Sequence, residues 1–149
     1  HPSPPGPPRE SEHTKMNTPE ETNKAIVREA FDTLFNQRDY LTAEKFWSPH
    51  YIQHSAHIAL GRDGLFDLIK TLPAGLKHEV DLIMAEGDTV MVRGRFSGNG
   101  QPAPWIAADF VRMENGLLAE HWDIIEEEAT RDRSASGLPM YGQTFPEER

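Results

Sequence analysis

The sequence predicts an α+β fold, with three N-terminal helices packed on one face of an antiparallel sheet. Apolar residues recur at the helical period through the first half of the chain. From His78 the period switches to two, as in half-buried strands. Trp105 to Glu127 then reads as a pair of strands rich in Ile, Val, Phe, Trp and Leu, broken only at Glu114-Asn115-Gly116.

The elements follow in order. HPSPPGPPRESEHTK holds almost nothing to bury, and residues 1–17 are expected to form a disordered, proline-rich leader. Thr18-Pro19-Glu20-Glu21 supplies an N-cap, a proline at the first helical position and a glutamate at the third, which is a capping box. Ile26, Val27, Ala30, Phe31, Leu34 and Phe35 continue at helical spacing, predicting a helix to about Gln37. Leu41 to Trp47 suggests a short second helix ended by Ser48-Pro49, and Tyr51 to His54 a short extended piece or turn. Gly61 to Gly64 opens a third helix, Leu65 to Leu72, stopped by Pro73. His78 to Glu86 and Thr89 to Ser97 alternate as strands around Gly87, and Gly98 to Pro104 is a loop. The main domain is expected over residues 18–128. Residues 129–149 form an irregular tail that can lie back on it through Leu138, Met140, Tyr141 and Phe145.

The turn decides which residues of the last hairpin share a face. A two-residue Asn-Gly loop without a bulge sets Asp109 opposite Trp122. A three-residue Glu-Asn-Gly loop, with Gly116 left-handed, pairs Asp109 with His121 and Ala107 with Asp123. The second register is preferred, because it gathers Asp109, His121 and Asp123 on one small, apolar face and leaves Phe110, Trp122 and Ile124 on the other. Two carboxylates and an imidazole are costly in a core. They are also the usual equipment of an acid–base site.

Composition narrows the function classes. A net charge of −9 over 149 residues, with no clustered basic stripe, argues against nucleic acid. The chain has no cysteine, hence no disulfide, thiolate metal site or cysteine nucleophile. No apolar run approaches the roughly 20 residues of a membrane span. A soluble, cytoplasmic protein without membrane contact is the expectation.

Among the candidates, a His–carboxylate pair such as His121–Asp109 fixes an imidazole tautomer for proton transfer. Asp109 reads equally well as a structural carboxylate. His50, His54 and His57 lie on extended backbone beside Pro49 with no acidic ligand nearby, so no metal is expected. Trp47, Tyr51 and Trp105 suit a pocket wall for a flat ligand, or plain aromatic core. Arg93 and Arg95 are expected to face solvent or a dimer partner, and Glu126-Glu127-Glu128 a solvated strand end.

NKAIVREAFDTLFNQRD, YIQHSAHIALGRDGL and ADFVRMENGLLAEHWDII, in this order, resemble the NTF2-like superfamily and, more narrowly, its SnoaL-like polyketide cyclase group. The resemblance implies a cone in which a curved sheet wraps the helices around a deep pocket. It implies that Asp123 occupies the position of a catalytic aspartate and that Asp109 stands where those cyclases carry a histidine. It places their pocket asparagine near Gln53 or His54, and it favours a homodimer formed through the outer sheet face.

The resulting expectation is a cofactor-independent enzyme acting on a small or medium, apolar or aromatic carbonyl compound. Asp123 is its base, helped by His121 and Asp109, and Tyr51, Gln53 or His54 bonds the developing enolate oxygen. The alternative is a pocket protein that binds such a ligand without chemistry.

Overall fold

The computed structural model describes residues 3–4 and 17–149. The leader expected over residues 1–17 lies outside the described residues, apart from positions 3, 4 and 17.

Helix α1 spans Pro19–Phe31, and the Thr18 hydroxyl accepts the Glu21 amide at 3.1 Å, as the capping box requires. The helix then widens into a π-helical turn, Asp32–Asn36. That turn keeps Leu34 and Phe35 on the same buried side as Val27, Ala30 and Phe31. A single turn, α2 (Tyr40–Ala43), is capped by Asp39. Helix α3 runs Gly61–Thr71 and buries Leu65, Phe66 and Ile69. Its last carbonyls are bonded by Arg38, whose guanidinium donates to Ile69 at 2.8 Å and Leu72 at 3.1 Å.

The strands are β1 (Trp47–Gln53), β2 (Lys77–Glu86), β3 (Thr89–Ser97), β4 (Trp105–Glu114) and β5 (Leu117–Glu127), in one sheet ordered β1-β5-β4-β3-β2. Three neighbouring pairs are antiparallel, while β1 lies parallel to β5. The stretch around Tyr51, expected as a short extended piece or turn, is the extended alternative and part of a longer edge strand. Pro49 misled the sequence reading because an edge strand tolerates a residue that cannot donate. It falls in the irregular part of the pairing, between Trp47↔Leu118 and Ile52↔Glu120.

The hairpin corrects the preferred register. Asn115 and Gly116 both take positive φ (52° and 77°), so the loop has two residues, with Glu114 opposite Leu117. A bulge between Arg112 and Met113 on one side and Leu118 to Glu120 on the other then adds a residue to β5. Beyond it Asp109 pairs with Asp123, Ala107 with Ile125 and Val111 with His121. The expected face survives through a different register: Asp109, His121 and Asp123 point into the cone, while Trp122 and Ile124 are exposed.

Two further expectations are overturned. Arg95 is buried, and its Nε donates at 2.6 Å to Glu128, whose side chain is itself buried and receives Arg149 at 2.6 Å. Neither Arg95 nor Glu128 is solvated, because the tail folds back and buries Tyr141 and Phe145. A buried carboxylate is tolerable here because two guanidiniums meet it. Leu138 remains exposed. Among the described residues, no helix is long and apolar enough to cross a membrane.

At the closed end of the cone His78 packs against Phe31, Phe35 and Phe96, with ring centroids 5.5, 5.2 and 4.4 Å away. Its Nε2, set close over Gly94, has no hydrogen-bond partner. Burial pushes its pKa from 6.5 down to about 4, against the opposing pull of Asp109, Asp32 and Glu79. The folded state thus keeps the ring neutral where the unfolded chain takes up a proton. Stability is fully present above pH 6.5 and declines as pH falls toward 4. The expected contribution is a loss of about 2 kcal/mol at about pH 5, at roughly 1.4 kcal/mol per pH unit. Urea unfolding of wild type and His78→Leu at about pH 7 and pH 5 checks this. Equal pH slopes in the two proteins would refute it.

Candidate active site

The inward ladder of the last hairpin runs Trp105/Glu127, Ala107/Ile125, Asp109/Asp123 and Val111/His121. It forms one wall of a cavity of about 380 Å³. Phe31 and Phe35 from the first helix, Trp47 and Tyr51 from β1, and Leu65, Leu68, Ile69 and Leu72 from α3 and its end supply the apolar remainder. Exposed His57 and Glu127 also line it, toward solvent. Among the described residues, no lysine or arginine lines this cavity, whereas three carboxylates do: Asp109, Asp123 and Glu127.

The predicted acid–base residues meet here. Nε2 of His121 lies 2.7 Å from Oδ1 of Asp109, and both side chains are buried. Nδ1 of His121 lies 2.6 Å from Oε1 of Gln53, an oxygen that also accepts the Ser55 amide at 2.9 Å. Tyr51 stacks on His121 with centroids 6.4 Å apart. The second oxygen of Asp109 is buried without any partner.

Electrostatics separates the groups. Burial raises the Asp123 carboxyl above its ordinary value; the Ser55 hydroxyl and His121 oppose this, Asp109 adds to it, and His57 opposes it. Burial likewise raises the Tyr51 phenol far above its usual value, so it stays protonated and can donate. Ligand atoms of Asp109, His121 and Asp123 all lie within 4.8 Å of one another, close enough to converge on a divalent ion. Both nitrogens of His121 are already bonded, however, and an ion would have to replace the contact to Asp109.

Not every predicted residue joins the site. Trp47 and Trp105 line the cavity, as does Tyr51. Gln53 stands behind His121, so its oxygen is committed to the protein rather than to a ligand. His54 points the other way. Its Nε2 meets Glu120 at 2.7 Å and its ring stacks on Trp122 at 4.9 Å, on the outer face of the sheet. Strand parity explains the split, since Tyr51, Gln53 and Ser55 share one side of β1 and its extension. Ser55, buried and near Asp123, is the residue that sequence reasoning missed. Its signal was that same alternation, hidden while Pro49 was read as a break.

No curated protein matches the chain by sequence. Several solved structures do match. AclR of Streptomyces galilaeus, described as a candidate hydroxylase, is 28% identical with a TM-score of 0.57, over 70% of this chain and 79% of its own. A candidate ketosteroid isomerase from Kribbella flavida DSM 17836 has a TM-score of 0.68 at 19% identity, over 86% of this chain and 98% of its own. IdmH of Streptomyces antibioticus, a candidate polyketide cyclase, has a TM-score of 0.59 at 20% identity, over 70% and 91%. The last two likenesses establish the NTF2-like fold alone. The sequence profile of the SnoaL-like polyketide cyclases matches residues 25–132, most of the chain, and the protein belongs to that family.

Proposed function

We propose that the protein is an acid–base catalyst acting, without a cofactor, on an uncharged carbonyl compound with an acidic C–H. The observation that carries this reading is the convergence of Asp109, His121 and Asp123 in a largely apolar cavity. Asp123 takes the C–H proton. The C–H bond breaks, an O–H bond forms on the carboxyl, and the electron pair moves onto the carbonyl oxygen as an enolate. The Tyr51 hydroxyl, kept protonated by burial, is positioned among the cavity-lining groups to stabilise that oxygen. The enolate then either regains a proton or attacks a second carbonyl carbon of the same molecule. A carboxyl raised toward neutrality is a stronger base than one in water, which suits the role. The description of IdmH as a candidate polyketide cyclase accords with enolate-type chemistry.

The cavity's charge supports an uncharged ligand. With carboxylates but no cation in the lining, an anionic substrate would enter without a counter-charge. The outer sheet face supports a homodimer as the working assembly. Ile124 is 71% exposed and Trp122 37%, next to Ile52 at 42%. Apolar side chains grouped on one outer face are what a second copy would cover.

Four outcomes are expected. Asp123→Asn loses about 10²–10⁴-fold in kcat/KM on a turned-over ketone while still binding it. In wild type kcat/KM rises with pH as Asp123 loses its proton, at a higher pH than an aspartate in water because burial raises its pKa. Near wild-type turnover by the variant would remove Asp123 as the base. Fluorescence titration with matched naphthyl probes should rank the methyl ketone at least tenfold tighter than the carboxylate, about 1.4 kcal/mol; the reverse order would remove the charge argument. Light scattering at micromolar concentration should give the dimer mass for wild type and the monomer mass for Ile124→Glu. A wild-type monomer would reject the dimer.

A further inference from the structure

We propose that Gln53 is a positioning residue that fixes His121 as the Nδ1–H form and so keeps a proton loaded between His121 and Asp109. The argument uses donors and acceptors only. The Ser55 amide can only donate, and it donates to Oε1 of Gln53 at 2.9 Å. That sets which end of the Gln53 amide is oxygen. Nδ1 of His121 lies 2.6 Å from the same oxygen, which has no proton to give, so Nδ1 carries one.

The other nitrogen then has a fixed task. A neutral ring protonated at Nδ1 presents only a lone pair at Nε2. Nε2 nevertheless lies 2.7 Å from Oδ1 of Asp109, so one more proton lies between them, on either the imidazole or the carboxyl. Both forms are the loaded state of the pair. The competing arrangement turns the Gln53 amide over and puts the proton of a neutral ring on Nε2. It sets the Ser55 N–H against an NH₂ group, leaving a donor facing a donor in a partly buried site.

The consequence deepens the reading above and rests on it. With Asp109 and His121 already sharing a proton, Asp123 is the one carboxylate of the cluster free to receive the substrate's. The roles of base and proton reservoir are thereby assigned by a residue that never touches the ligand. Gln53 is absent from the cavity lining.

Nitrogen-15 NMR of histidine-labelled protein tests this without substrate. Wild type should show His121 protonated at Nδ1 near neutral pH. Gln53→Leu should lose that proton and become a neutral Nε2–H ring. Gln53→Glu, whose carboxylate accepts from both Nδ1–H and the Ser55 amide, should restore Nδ1–H. On a turned-over ketone, Gln53→Leu should lower kcat about tenfold or more with KM little changed, a share of the roughly 10²–10⁴-fold that a positioned acid or base supplies. Gln53→Glu should recover most of it. A neutral Nε2–H ring in wild type overturns the proposal, as does Nδ1–H persisting in Gln53→Leu. If Gln53→Leu does not fold, the wild-type spectrum alone decides. A confirmed tautomer with near wild-type activity in Asp123→Asn would sink Asp123 as the base and leave the Gln53 assignment standing.

Discussion

One extra residue in β5 decides where the chemistry can be. The Asn115-Gly116 loop starts the hairpin with Glu114 opposite Leu117, and in that register Asp109 would oppose Trp122. The bulge after Leu118 advances the pairing by one, and every residue beyond it changes its partner. Leu118 and Ala119 are both buried at this point, so the insertion is held by packing on either side. Without it, either the carboxylates or the Trp122/Ile124 face would be on the wrong side of the sheet. The cavity, the charge cluster and the exposed apolar face all follow from that local offset.

The same hairpin shows how a small domain tolerates buried charge. Asp109 and His121 are almost fully enclosed, and each polar atom but one finds a partner through Gln53 or the pair itself. The exception, the second oxygen of Asp109, faces the cluster that would receive a ligand. At the opposite end of the hairpin Glu128 is enclosed too, yet it is met by Arg95 and Arg149 and has no unpaired oxygen. Complete satisfaction marks the structural ion pair; an orphaned atom beside a raised carboxyl marks the candidate functional site.

Much of this was legible in the residues. Helix α1 announced itself by its capping box and its Ile26-to-Phe35 periodicity, and the strands by alternation, because those signals are local. The grouping of Asp109, His121 and Asp123 was legible from polarity matching on the two faces. The loop that produces it was not, since a bulge depends on packing between partners distant in sequence. Arg95 and Glu128 were read as solvated for the same reason: they pair with each other across a long sequence separation, and the second partner of Glu128, Arg149, lies in a tail whose path no local pattern specifies. His54 and Gln53 could be separated only once β1 was known to be a strand with alternating sides.

His54 has a structural account once it is removed from the cavity. It bonds Glu120, which also receives Arg112 at 2.8 Å, so an outer-face chain runs from β1 through β5 to β4. On the inner face Gln53, His121 and Asp109 form a second chain across the same three strands. The two chains are one residue out of step, with Ile52 opposite Glu120 and Gln53 opposite His121. β1 is an edge strand whose ladder to β5 is interrupted near Pro49 and resumes at Ile52. Past the interruption the His54 amide donates to the His121 carbonyl at 2.9 Å, and this backbone pairing sets Gln53 against Nδ1 of His121. The His54–Glu120 contact lies over the same stretch on the outer face, so one short length of β1 carries both chains.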